Sequence, residues 1–294
     1  MKHFKLTNET KVNAFGVTLF RIELTIDCKW GKVGDKGGFI EKEENLSGNA
    51  WVYGNAEVSG DARVSGNARV YGDAEVYGDA RVYGDARVYG NAEVSGNAEV
   101  SGDARVYGDA EVYGNARVYG DARVYGNAWV YGDAWVYGDA RVYGDARVYG
   151  NAWVYGNAWV YGNARVYGDA RVYGNAEVSG DARVYGDARV YGDAWVSGDA
   201  RVYGNARVYG NAWVYGNARV ESSNDYCAIQ SFGSENRTTT FFKTKTKEIA
   251  VKCGCFEGSI VDFEARVKSV HGDNKAGREY MAAIALVKIK FETL

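Results

Sequence analysis

Few residues in this 294-residue chain are of types that do covalent or metal chemistry. Cys253-Gly254-Cys255, with Cys227 and His271, supplies enough sulfur and nitrogen ligands for zinc, but one C-x-C with scattered partners is a weak pattern beside paired C-x-x-C motifs. Ile249, Val251, Cys253 and Cys255 also alternate along one strand face, where both thiols can serve as small buried apolar groups. No metal is assigned; Cys253, Cys255 and His271 are the only candidates. Arg237, Lys243, Lys245, Lys247 and Lys252 form a basic cluster suited to a phosphate or an acidic partner, with solvated hairpin charges as the alternative. Acyl transfer needs a general base, and the only histidines are His3 and His271. No catalytic residue and no cofactor site is assigned, and the chain is expected not to be an enzyme.

The elements that carry these groups follow from one repeat. From Gly48 to Glu221 every sixth residue is Gly, 29 times without insertion or deletion. Each unit runs Gly, Asp or Asn, Ala, then Arg, Trp or Glu, then Val, then Tyr or Ser, the final unit ending instead in Glu221. Ala and Val lie two apart, so an extended segment turns both inward and sends the variable residue and Tyr outward. The Gly-Asp/Asn pair supplies the corner, both types tolerating positive φ. A hexapeptide of this kind looks like that of left-handed parallel β-helices, three units to a coil and about ten coils. The chain has no Pro; one would remove an N–H that the next rung needs. An interior of Ala and Val alone is slim and dry, without room for a ligand.

Residues 18 apart stack on one face. The first ladder contains Arg69, Arg87, Arg105, Arg123 and Arg141, then Trp159, Glu177, Trp195 and Trp213; the second begins Glu57, Glu75, Glu93, Glu111; the third contains Trp135 and Trp153. Beside each runs a ladder of mainly Tyr. Stacked like charges are unfavourable, so these runs do not stabilise the fold by themselves. One reading lays Arg on neighbouring Tyr rings and pairs it with corner Asp. The functional reading is a docking surface, with Trp135, Trp153, Trp195, Trp213, the five Arg of the first ladder, Arg237, Lys243, Lys245 and Lys252 as binding residues. Duplex DNA is a poor partner, since the array has 16 Arg against 15 Asp and 7 Glu, a charge of 16 − 22 = −6. The array has no Thr ladder to bind ice, whereas carbohydrate could stack on the four Trp.

Residues 1–47 are expected to be a β cap covering the open end of the solenoid, with Phe15 to Ile26 as a strand pair. Residues 222–294 are expected to be a small α+β recognition domain. It has strands at Tyr226 to Phe232, Thr238 to Lys243 and Glu248 to Cys255. A helix opens on the capping box Ser259 to Asp262 and places Ile260, Phe263, Val267 and Val270 inward, and a second starts near Asn274 with Tyr280, Ile284 and Val287 on one face. No apolar stretch approaches 18 residues and the N-terminus lacks a signal-peptide apolar region, so a soluble protein of the cytosol with reduced cysteines is expected.

Gly34-Asp35-Lys36-Gly37-Gly38-Phe39-Ile40-Glu41 and Glu44-Asn45-Leu46-Ser47, running into Gly48-Asn49-Ala50-Trp51, resemble phage and prophage hexapeptide-repeat proteins. The run Thr238 to Phe242, Cys253-Gly254-Cys255-Phe256-Glu257-Gly258 and His271-Gly272-Asp273-Asn274 is similar to a module of tailed-phage proteins. The resemblance implies a phage-encoded accessory protein in the bacterial host cytoplasm, without supplying an activity. The leading expectation is a non-enzymatic binding or scaffold protein that counters host defence by binding a defence protein or its nucleotide signal, with no membrane partner and with homo-oligomers open. The alternatives are a hexapeptide-type acyltransferase and a virion structural or glycan-binding component.

Overall fold

The computed structural model describes residues 2–292 and divides into two units, Met1–Gly156 and Asn157–Leu294. In both, the hexapeptides form a parallel β-solenoid with three short rungs per coil, and the 29 units together make about ten coils. Each rung pairs in register with the residue 18 on, as in Arg87↔Arg105 and Val88↔Val106. Alternate N–H groups bond to the next coil: Asp109 to the Gly126 carbonyl, Glu111 to Ala128 and Tyr113 to Val130, each at 3.0 Å. Every Ala and Val of the array is sealed from solvent.

The corner differs from the sequence expectation in one respect. All 29 repeat glycines take φ between 60° and 78°, whereas among the described residues no Asp or Asn of the array has positive φ. Glycine alone supplies the left-handed residue, because a Cβ there crowds the following carbonyl. Corner Asn and Asp side chains bond to one another along the edge: Asn91 Nδ2 donates to Asp109 at 2.8 Å, Asn115 to Asp133 at 2.9 Å and, in the second unit, Asn175 to Asp193 at 2.9 Å.

In the first unit, strands β1 (Phe4–Val12) and β2 (Thr18–Leu24) form an antiparallel hairpin, so the strand pair begins eleven residues before Phe15. Lys, Thr and Asn disguise β1. The turn is made by Asn13, whose Oδ1 accepts the N–H groups of Phe15 at 3.0 Å and Val17 at 2.9 Å. Strand β3 (Lys36–Ile40) pairs antiparallel with β2 and parallel with the Glu57–Val58 rung, joining the hairpin to the solenoid. A Cβ on Gly37 would lie 2.7 Å from the Trp51 ring. Trp51, outward by period, is therefore buried beneath β3, and Glu57 is buried and paired with Lys11.

In the second unit, the coils end at Val220, and Asp225 Oδ2 accepts the N–H groups of Glu221 and Ser222. An antiparallel sheet of Tyr226–Phe232, Arg237–Lys243, Ile249–Cys253 and Phe256–Ser259 follows, one strand more than the sequence indicates because Gly254-Cys255 is a hairpin turn. Helix α1 (Ile260–His271) starts at the Ser259 capping box and stops at Gly272, with φ 52°; α2 (Lys275–Phe291) is capped by Asn274. Phe241, Val251, Phe263, Val267, Tyr280, Ile284 and Val287 make the core between sheet and helices. Val270, expected inward, is 53% exposed. No helix among the described residues is long and apolar enough to cross a membrane.

Candidate binding cleft

The second unit holds a cleft of about 500 Å³, lined by Asn211 and Trp213 of the last coil and by Gln230, Ser231, Asn236, Arg237, Thr238, Thr240, Lys252 and Gly254 of the sheet. Thr240 and Lys252 are register partners on adjacent strands. Thr240 Oγ1 accepts the backbone N–H of Trp213 at 3.0 Å, and Tyr215 donates its hydroxyl to the Val251 carbonyl at 3.2 Å. These two bonds fix the sheet to the coil that faces it. Burial, reinforced by Glu257, holds the Tyr215 phenol far above its ordinary range, so it is a neutral donor.

Trp213 is set apart from the other Trp ladder in geometry. Trp135 and Trp153 lie parallel, 5.2 Å apart with 8° between planes, and the Arg117 guanidinium sits 5.0 Å from the Trp135 ring. Both faces of Trp135 are thus occupied by protein, which leaves edges rather than faces for a sugar. Trp213 instead meets Trp195 edge-on, 5.0 Å away at 75°, and is 40% exposed. Lys252 Nζ lies 5.3 Å from its ring centroid and 5.5 Å from that of Tyr215, a cation held over aromatic faces.

Arg237 supplies the second positive charge. Its partner Glu235 is 3.6 Å away, as Glu257 is from Lys252, both at the loose end of ion-pair geometry. Gly254 leaves Arg237 its place: a Cβ there would stand 2.8 Å from Nη1. Ser231 and Asn236 carry positive φ of 58° and 48°, a conformation that costs about 1–2 kcal/mol in a residue with a Cβ and that collects at sites. The cleft therefore offers two cations, an indole, and the side-chain amides of Asn211, Gln230 and Asn236.

Other expected site residues lie elsewhere. Lys243 pairs with Asp225 at 3.1 Å beside the Phe291 ring, and Lys245 is exposed in the turn where its N–H meets the Asn217 carbonyl. The basic cluster is thus divided, with Arg237 and Lys252 in the cleft. Cys253, Cys255 and His271 border a separate cavity of about 250 Å³ with Phe256, Arg266 and Tyr280. Thr239 donates to Cys253 Sγ at 3.1 Å, Cys255 is exposed, His271 lies against Tyr280, and burial raises the Cys227 thiol. Among the described residues no three His, Cys, Asp or Glu side chains converge to hold a metal. His3 contacts the Ala50 carbonyl at 3.1 Å, and burial lowers its pKa. In the first unit Arg69 lies 4.9 Å from the Trp30 ring, and Arg69, Arg87, Arg105, Arg123 and Arg141 stack in register.

The YdcK beta solenoid repeat family model matches residues 62–78, 74–90, 80–96, 110–124, 122–138, 140–156, 146–162, 158–174, 164–180, 182–198 and 200–216. The chain is a β-solenoid repeat protein. No curated protein matches it. The matches to the β-solenoid repeat all fall inside the array, so they bear on its fold and leave the cleft-forming sheet and both helices outside. Gln230, Ser231, Asn236 and Thr240 are not singled out by sequence, since polar residues in turns and on a sheet have no period, and Asn211 is one of many equivalent corner residues of the repeat.

Proposed function

We propose that this β-solenoid protein is a non-enzymatic binding protein whose cleft takes an anionic ligand with an aromatic ring, a nucleotide being the class that uses every group present. The observation that carries the reading is the Lys252 ammonium over Trp213, with Arg237 on the same cleft of about 500 Å³. An aromatic base on the exposed Trp213 ring, amides at its edges and phosphate oxygens on Arg237 and Lys252 would use these groups as nucleotide sites commonly do. The resemblance to phage proteins supports the setting: sequestering a nucleotide signal of host defence, in the host cytoplasm, in preference to binding a defence protein.

Titration calorimetry of the full chain with AMP, ADP, a cyclic dinucleotide and pyrophosphate tests this. Binding of a nucleotide that weakens by about ten-fold or more in Trp213→Leu and in Lys252→Met, pyrophosphate binding more weakly, is expected. No heat with any of the four at about 1 mM ligand would overturn the reading.

A further inference from the structure

Two ladders of opposite charge stand on adjacent faces of the first unit. Glu57, Glu75, Glu93 and Glu111 stack in register on one; Arg69, Arg87, Arg105 and Arg123 stack in register on the next. Internal partners account for part of each. Glu57 is paired with Lys11, Glu93 accepts the Tyr77 hydroxyl at 3.1 Å, and Arg69 lies over Trp30. Among the described residues no ion pair within 4 Å reaches Glu75, Glu111, Arg87, Arg105 or Arg123. Like charges one rung apart repel by a few tenths to about 1 kcal/mol per pair, and burial together with Glu57 and Glu93 makes the Glu75 charge less favourable. Corner carboxylates occur on every face, so the contrast between the two faces comes from these fourth positions.

Both ladders are written by the same hexapeptide, so they share one rung spacing. The parallel Tyr rings beside the Arg ladder show it directly, at 4.8 Å from Tyr89 to Tyr107 and from Tyr107 to Tyr125. A single Glu–Arg alignment between two molecules therefore aligns the others, and aromatic edges flank the contact as they do in interface hot spots.

We propose that copies of this chain associate by laying the Arg87–Arg123 ladder of one on the Glu75–Glu111 ladder of the next. The contact uses a different face on each partner, so it is heterologous, and each copy of a pair keeps its other ladder for a further neighbour. It involves no residue of the cleft, so its failure and that of the ligand reading are distinguishable.

The test is light scattering on the size-excluded full chain, at about 50 mM and about 500 mM salt, with triple charge reversals at Glu75, Glu93 and Glu111 or at Arg87, Arg105 and Arg123. Expected are assemblies larger than the monomer at low salt, weakened more than about ten-fold by high salt or by either reversal. The two reversed proteins, each monomeric alone, should associate when mixed. Triple changes to Gln at either set, which add no repulsion, should also weaken assembly, with circular dichroism reporting the fold. A monomer for the unmodified chain at low salt, or assembly unchanged by both folded Gln variants, would overturn the proposal.

Discussion

The Tyr77 hydroxyl donates to Glu93 Oε2 at 3.1 Å, reaching across a rung at which Ser95 replaces the usual Tyr. Tyr83 meets Glu99 at 3.5 Å above Ser101, and Tyr161 meets Glu177 at 3.0 Å above Ser179. A Glu-Val-Ser unit thus changes the ring in the coil before it: the ring loses the stacking partner it would have had and finds a carboxylate instead. Where the unit 18 residues on also ends in Tyr the rings can stack, as Tyr113 and Tyr131 do at 4.9 Å. Tyr77→Phe keeps the ring and removes the donor; an unfolding free energy lowered by about 0.5–1.5 kcal/mol in urea titrations is expected, and no change would show the bond to be solvent-equivalent.

The rungs make glycine demands that differ from corner to corner. A Cβ on Gly198 would lie 2.9 Å from the Gly216 nitrogen, whereas one on Gly216 meets nothing within 4 Å, at nearly the same φ of 63° and 62°. Gly216→Ala pays for the left-handed backbone alone, about 1 kcal/mol, and Gly198→Ala adds a backbone clash, about 2–3 kcal/mol in total. Equal losses in thermal melts would mean that the coil below relaxes freely.

Acid acts on two carboxylate groups in opposite senses. Burial, then Glu57 and Glu93, raises Glu75 above its ordinary 4.5, and burial with Glu93 raises Glu111. The native state then holds protons that the unfolded chain has released, so this part gains stability as pH falls through the raised values toward 4.5. Hydrogen bonds from Lys268 and Lys288 pull Glu264 down to about 2, so its contribution is complete above 4.5 and lost as pH falls toward 2. In urea titrations Glu75→Gln should raise the midpoint at pH 7 but not below pH 4.5. Glu264→Gln should lower it at pH 7 and converge with the unmodified protein near pH 2.

Helix α1 depends on its first residue contacts. Ser259 Oγ accepts the Asp262 N–H at 3.1 Å and donates to Asp262 Oδ2 at 2.6 Å. Ser259→Ala should destabilise the C-terminal sheet and helices by about 1 kcal/mol, read as faster amide exchange in residues 260–267; unchanged exchange would assign the N-terminus of α1 to packing alone.

The solenoid was legible because its cause is local and repeated. Gly at every sixth position, Ala and Val two apart and the absence of Pro state the corner, the inward face and the rung bonds residue by residue. The capping box of α1 and the Asn274 start of α2 were legible for the same reason. Strand β1 and the Phe256–Ser259 strand were not, because each is held by a neighbouring strand and carries no strong pattern of its own.

Charge ladders likewise follow from the spacing of 18, but their consequences do not. Whether Trp51 and Glu57 face solvent depends on β3 folding over them, and whether a Trp offers its face depends on what occupies the next rung. Trp213 and Lys252 are 39 residues apart and of unremarkable type. Their meeting required the last coil to end where the antiparallel sheet crosses it, with Thr240 and Val251 bonded to the coil. Sequence alone determined the repeat, its core and its surface periodicity, since neighbours in the chain decide these. Tertiary structure decided the cleft, because side chains from separate strands acquire a common neighbourhood only when the sheet closes the coil.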